Sequence, residues 1–226
     1  MQVIVLLSGG LDSATALAMC RADGLVCHAL SFDYGQRHAV ELQAAARVAR
    51  ALGAASHRVC RIDLGGVGGS ALTGQGAVPK GRSDAEIGCG IPATYVPGRN
   101  TLFVAHALAV AEILDAERIA LGINVLDSSG YPDCRPEWLH AMQEVARLGT
   151  RAGVEGRAVE LVAPLLGMTK AEIIRAGTAL GVDYSLTHSC YDPTASGAAC
   201  GTCDSCQLRR RGFQQAGIAD PTRYGG

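Results

Sequence analysis

The sequence predicts an α/β fold: a doubly wound parallel sheet of about five strands, with a small cysteine-bearing module at its C-terminal end. Three observations predict it. Short apolar runs alternate with helical stripes along most of the chain. The first run passes through two glycines directly into a helix, and polar loops follow several of the strands, at the sheet edge where open α/β sheets bind ligands.

Val3 to Leu7 is a β-rich run suited to a strand buried on both faces. Leu11, Ala14, Leu17 and Ala18 then mark the stripe of a helix. Leu25 to Phe32 is a second strand, Ala39 to Leu52 an Ala-rich helix closed by Gly53, and His57 to Ile62 a third strand. Residues 65–90 are rich in glycine and lack apolar periodicity, which predicts a long mobile excursion. Asn100 to Leu114 is a helix, Arg118 to Ile123 a strand and Pro136 to Gly153 a further helix. Val159 to Val162 is the last strand, and Thr169 to Leu180 the last helix of the sheet domain, opened by a capping box of Thr169 with Glu172. From 188 onward the chain is Cys-rich, Gly-rich and poor in apolar residues. The expected division is therefore a nucleotide-binding and catalytic domain over 1–187 and a metal-binding module over 188–226.

Composition narrows the class. The 226 residues are 48% hydrophobic and 18% charged, as in an ordinary globular chain, and the net charge of −1 offers no general attraction to nucleic acid or anionic membrane. No apolar run approaches the roughly 18 residues that a membrane helix needs, and the N-terminal apolar stretch lacks the basic flank and cleavage site of a signal peptide. These features predict a cytoplasmic chain, and so a reducing surrounding in which nine cysteines need a purpose other than disulfides.

The glycines after the first strand belong to Ser8-Gly9-Gly10-Leu11-Asp12-Ser13. Strand, glycines and helix start bring several backbone N–H groups and the positive end of a helix to one point, which makes an anion site. Ser8 and Ser13 add hydroxyl donors, and Asp12 is placed to hold a magnesium ion that travels with phosphates. A Walker loop carries a lysine toward the terminal phosphates; this loop has none. It resembles instead the PP-loop of the ATP pyrophosphatases. That resemblance implies a loop gripping the β- and γ-phosphates as a unit while chemistry takes place at the α-phosphate. It also implies a phosphate contact for Lys170, beside the Thr169 cap, and a catalytic group of Asp12, Ser13, Arg99 and Lys170.

Three further segments carry polar and aromatic residues. In SFDYGQRH (31–38), Phe32 and Tyr34 follow the second strand and could border an adenine, with Arg37 and His38 near phosphate. In YVPGRNTLF (95–103), Arg99 opens a helix, the end at which cations are disfavoured, so an anion opposite it would explain its place. GINVLDSSGYPDCRPEW (122–138) delivers Asn124, Asp127, Ser128, Tyr131, Asp133 and Arg135 to the same sheet edge. A carboxylate there suits a guanine-like donor edge, a tyrosine can stack on a ring, and an arginine can pair with a carboxylate. A polar loop capping a helix, with Pro136 at its first position, accounts for Asp133 equally well.

The tail carries Cys190, Cys200, Cys203 and Cys206, a spacing that fits structural zinc or an iron–sulfur cluster. Cys20, Cys27, Cys60, Cys89 and Cys134 are scattered, and the default for each is a small buried hydrophobe.

Taken together, the loop, the three segments and the cysteine tail resemble the 7-cyano-7-deazaguanine synthase family of PP-loop ligases, over essentially the whole chain. The resemblance implies an ATP-dependent ligase acting on 7-carboxy-7-deazaguanine and ammonia, zinc rather than iron–sulfur at one structural site per chain, and a homodimer. It also implies ATP contacts from Ser8, Gly9, Gly10, Leu11, Asp12 and Ser13. Two other readings compete. One is a tRNA-modifying PP-loop enzyme, for which Arg209-Arg210-Arg211 is the sole basic cluster; the other is a non-catalytic nucleotide- or zinc-binding module.

Overall fold

Five short parallel strands form one sheet: β1 (Gln2–Leu6), β2 (Val26–Asp33), β3 (Ser56–Arg61), β4 (Arg118–Ala120) and β5 (Glu160–Val162), in spatial order β3-β2-β1-β4-β5. The computed structural model describes residues 1–226 except 37–39, 75, 88, 127–129 and 226. Val3 pairs with Cys27 on one side and Arg118 on the other. The chain therefore winds outward in both directions from β1, and the crevice between β1 and β4 is the place where such a sheet takes a ligand.

Both faces are covered, as the apolar run of β1 requires. Val3 and Val5 pack under α1 (Leu11–Ala22) and α2 (Val40–Ala51), with Ala14, Leu17, Ala45 and Val48. Ile4 points the other way, into a cluster that includes Val104, Ala107 and Met142. A four-residue helix, α3 (Asp84–Ile87), precedes α4 (Arg99–Leu114), α5 (Pro136–Gly149) and α6 (Arg151–Val154); α7 (Lys170–Ala179) and α8 (Asp204–Ala216) complete the chain. Among the described residues no helix is long and apolar enough to cross a membrane.

The structure departs from the predicted elements in three places. The helix predicted over 136–153 is two helices, because Thr150 is extended (φ −121, ψ 154) and its hydroxyl accepts from Gly153 N, starting α6 afresh. The strand predicted to reach Ile123 ends at Ala120, since Gly122 must pass so close to the first loop that a Cβ on it would stand 2.9 Å from Ser13 N. The tail contains α8, which the sequence pattern did not signal. Its buried stripe runs Cys206, Arg209, Phe213, and an arginine in the middle hides the apolar period.

The described residues of 65–90 are anchored at several points. Leu72 and Val78 are buried with the core, Gly81 N donates to Thr202 O at 2.8 Å, and Lys80 pairs with Asp192 at 2.7 Å. Arg82 grips Asp204 with two nitrogens and donates to Glu86 O at 3.1 Å.

Candidate active site

Loop residues 8–13 are held rigidly before any ligand is considered. Gly9 adopts φ +84, and a Cβ there would lie 2.5 Å from both Ala45 N and Glu41 O. Only glycine satisfies both the torsion and the approach to α2. Gly10 is extended and stands at the N-cap of α1 without a side-chain cap, so the helix start depends on partners from elsewhere. Ser8 Oγ and Ser13 Oγ lie 3.0 Å apart, Gly10 N donates to Ser8 Oγ at 3.3 Å, and Leu11 N donates to Ser189 Oγ at 3.3 Å. From the tail, His188 N donates to Gly9 O at 2.8 Å.

Lys170, at the first position of α7, lies 158 positions from Asp12 in sequence and meets it in space. Its Nζ donates to Asp12 Oδ1 at 2.8 Å and to Oδ2 at 2.9 Å. The capping box places it: Glu172 N donates to Thr169 Oγ1 at 3.3 Å, and Thr169 N to Glu172 Oε2 at 2.7 Å. A cation thus stands at the loop that lacks one of its own.

In front of the loop opens a cavity of about 280 Å³. Phe32 and Phe103 stack in its wall, with ring centroids 4.0 Å apart. The Arg99 guanidinium lies 5.7 Å from the centre of the Tyr34 ring. Burial works against the Arg99 charge, but Tyr34, Tyr131 and Asp133 around it hold its pKa above the ordinary arginine value. Burial also pushes the Tyr34 hydroxyl up to about 12, with Glu41 adding to the rise and Arg99 opposing it. The cavity thus combines stacked aromatic rings with a fixed positive group at Arg99 and the neutral Tyr34 hydroxyl beside it, a lining suited to an anionic, planar ligand.

The sulfur atoms of Cys190, Cys200, Cys203 and Cys206 lie within 4.8 Å of one another. Backbone N–H groups point at them: Cys200 N donates to Cys190 Sγ at 3.2 Å and Cys203 N to Cys200 Sγ at 3.3 Å. Four converging sulfurs, two of them accepting from backbone N–H groups, fit a metal ion with no open coordination position.

Residues 2–217 match the family model described as queuosine biosynthesis protein QueC. The chain belongs to that family. A relative named 7-cyano-7-deazaguanine synthase from Desulfatibacillum aliphaticivorans is 58% identical over 224 residues, covering 99% of this chain and 96% of the relative. Another of that name, from Thiobacillus denitrificans, is 61% identical over 222 residues, covering 98% of this chain and 97% of the relative. Among solved structures, an NMN synthetase from Francisella tularensis superposes with a TM-score of 0.50 at 18% identity, over 96% of this chain and 77% of its own, a likeness of fold.

In this QueC chain the sequence-predicted residues divide in two. Ser8, Gly10, Leu11, Asp12, Ser13, Phe32, Tyr34, Arg99, Tyr131 and Lys170 all line the cavity, with Gly9 behind them as the hinge of the loop. Asn124, Asp133 and Arg135 do not. Asn124 donates to Leu165 O at 3.1 Å and to Met168 O, joining the loop after β4 to the loop before α7. Asp133 Oδ2 accepts from Asn100 N at 3.0 Å and so caps the start of α4, while Arg135 is exposed at the N-cap of α5. The polar atoms of Asn124 and Asp133 are occupied in building the walls. Asp127 and Ser128, like Arg37 and His38, lie outside the described residues.

Cys134, a lesser candidate for a nucleophile, is buried, and that burial pushes its thiol up to about 12, so it stays protonated. Cys20 and Cys27 are likewise buried, with burial raising them to about 12 and about 11. Within the Arg209–Arg211 cluster Arg210 is exposed and Arg211 half-buried, whereas Arg209 is turned inward. Arg209 is buried, donating to Asp220 Oδ1 at 3.1 Å, Thr187 Oγ1 at 2.8 Å and Tyr184 O at 3.1 Å, and Arg210 stacks on Tyr224 at 3.9 Å.

Among the cavity residues that the sequence did not mark are Glu41, Arg82, Tyr191 and Asp204. Glu41 lies in the first turn of a helix, where an acid is ordinary, and Tyr191 directly follows Cys190. Arg82 and Asp204 are visible only as a pair, 122 positions apart.

Proposed function

We propose that this chain makes 7-cyano-7-deazaguanine from 7-carboxy-7-deazaguanine, ammonia and ATP by adenylating first an acid and then an amide. One observation carries the reading: Lys170 and Asp12 meet at 2.8 Å over a lysine-free phosphate loop, in a chain 61% identical to a relative named for that product. A loop that grips β- and γ-phosphates as a leaving group leaves the α-phosphate as the point of attack. The substrate carboxylate attacks there, forming an acyl-adenylate and releasing pyrophosphate; ammonia then displaces AMP to give the amide. The amide oxygen attacks a second ATP in the same way, and loss of AMP leaves the nitrile. Neither oxygen can leave until it carries a phosphoryl substituent, which explains the need for ATP twice.

The side chains position and neutralise. Ser8 to Ser13 would hold the pyrophosphate portion, Phe32 and Tyr34 would border the base, and Lys170 and Arg99 would offset charge on phosphates and the substrate carboxylate. Asp12 is the residue placed to hold a magnesium ion bridging the phosphates, which would supply further charge neutralisation. Zinc, one ion per chain, would occupy the Cys190, Cys200, Cys203 and Cys206 set in a structural role. Tyr131 remains the substrate contact best placed to stack on the deazapurine, and Asn124 and Asp133 act mainly by shaping the wall. The chain would work in the cytoplasm as a homodimer, for which exposed Ile113 on α4 and exposed Val145 and Leu148 on α5 offer apolar surface. Free ammonia would be the nitrogen donor.

The test is incubation of the purified chain with the acid, ATP and ammonium, with mass analysis of products. Nitrile, AMP and pyrophosphate are expected, and Asp12→Ala should remove turnover while keeping the circular dichroism of the wild type. ADP and phosphate as products, or full activity in Asp12→Ala, would contradict the scheme.

A further inference from the structure

Glu41 stands on the cavity wall, and nothing in the loop chemistry accounts for it. The first turn of α2 is pressed against the phosphate loop through Gly9. An acid at a helix start ordinarily faces solvent and complements the dipole. This one lines the cavity with Asp12, Tyr34 and Arg99, close enough for its charge to bear on Tyr34 and for the Arg99 charge to bear on it. Burial pushes the Glu41 carboxyl up to about 7, with Arg99 pulling the other way. The other described acids of the cavity are engaged: Asp12 holds Lys170, and Asp204 holds Arg82. The remaining ionisable groups facing the cavity are Tyr34, Tyr131, Tyr191, Cys134, His188, Arg99 and Arg209; Tyr34, Tyr191 and Cys134 are held in the neutral form, and His188 is shifted below its ordinary value by burial. Arg37 and His38, on the approach to α2, lie outside the described residues.

The second half-reaction of the function proposed above, on which this inference rests, needs a base inside the cavity. The adenylated amide first loses one proton to solvent and becomes a neutral imidate, R–C(=NH)–O–AMP. It becomes a nitrile when the remaining N–H bond breaks: that electron pair forms the third C–N bond, the C–O bond breaks, and AMP departs with the oxygen. The proton must pass to an acceptor beside the carbon. In the amide-forming half-reaction ammonia itself is basic and can carry protons away, so the requirement falls on nitrile formation. We propose that the Glu41 carboxylate is the general base that takes this last proton, returning it to solvent after AMP leaves. A carboxyl titrating near the working pH is ionised often enough to accept the proton and basic enough to hold it.

The full chain is assayed in two arms, one supplied with the acid, ammonium and ATP and the other with the 7-carboxamide and ATP. Glu41→Gln should slow nitrile formation from the amide by about 10²–10⁴-fold, and amide formation far less, so that the amide accumulates in the first arm. The wild-type nitrile-forming rate should fall below about pH 7, and that limb should be absent in Glu41→Gln. In Glu41→Ala, added formate should restore part of the nitrile-forming rate, which a packing role would not allow. Nitrile formed at the wild-type rate by Glu41→Gln would overturn the proposal. So would a parallel fall of both half-reactions with a raised KM for the acid, or no response to formate. Wild-type protein that forms neither amide nor nitrile would instead overturn the proposed function itself.

Discussion

Glu41 carries a cost in stability along with its proposed role. Its carboxyl titrates near 7 in the folded chain, against an ordinary value of 4.5, because burial disfavours the charged form. The folded state therefore holds this proton more tightly than the unfolded state does. A group raised in this way contributes stability that is complete below its unfolded pKa and is lost as pH rises through its folded one, here between 4.5 and about 7. Above that window the folded chain keeps a half-buried carboxylate that the unfolded chain would hydrate fully, at a cost on the order of 2 kcal/mol once water in the cavity is allowed for. Glu41→Gln should then raise the unfolding temperature by about 4–8 °C at pH 8 and leave it nearly unchanged near pH 4.5. Scanning calorimetry at both values checks this, and an equal shift at each would rule out titration as the cause.

The helix α7 illustrates how a local signal sets a distant contact. Thr169 and Glu172 close the capping box, and the helix start fixes where Lys170 leaves the backbone, hence whether its Nζ reaches Asp12. Thr169→Ala should cost about 1 kcal/mol of stability and lower turnover by loosening Lys170; urea unfolding read beside steady-state rates tests both, and intact turnover would detach the cap from the site. That box was legible in the sequence because its residues are three apart, and the glycine loop was legible because strand, turn and helix are contiguous. The meeting of Lys170 with Asp12 was not readable from spacing, and neither was the engagement of Asp133 with Asn100 N or of Asn124 with Leu165 O. Nothing local tells whether a polar loop residue will face a ligand or brace a wall. The sequence also concealed α8, where Arg209 occupies a buried position that periodicity assigns to an apolar side chain. Its guanidinium is tolerated there because Asp220, Thr187 and Tyr184 O satisfy it.

On the scale of the whole molecule, the cysteine cluster, the 65–90 segment and the cavity are mechanically joined. Val78 packs in the same cluster as Cys190, Cys203 and Cys206. Lys80 forms a bridge with Cys203 and an ion pair with Asp192, and two residues on Arg82 grips Asp204, at the first position of α8 directly after Cys203. Arg82, Ile87 and Asp204 in turn line the cavity. A metal ion holding the four sulfurs together would thus hold the outer wall of the cavity in place from more than a hundred residues away. Removing the metal with a chelator under reducing conditions leaves four sulfurs within 4.8 Å that nothing holds together and should let the cluster open. Lys80 and Arg82 then lose the fixed partners that anchor their segment, while α1, α2 and the sheet face beneath them, packed in an apolar cluster that contains none of the four cysteines, keep theirs. Metal removal is therefore expected to abolish turnover and speed protease cleavage within 65–90 while most of the helical circular dichroism remains. Metal content, cleavage sites by mass analysis and ellipticity, followed together during chelation, give the order of events. Unfolding of the sheet in step with metal loss would make the cluster a support for the entire fold, and unchanged cleavage would sever it from the cavity wall.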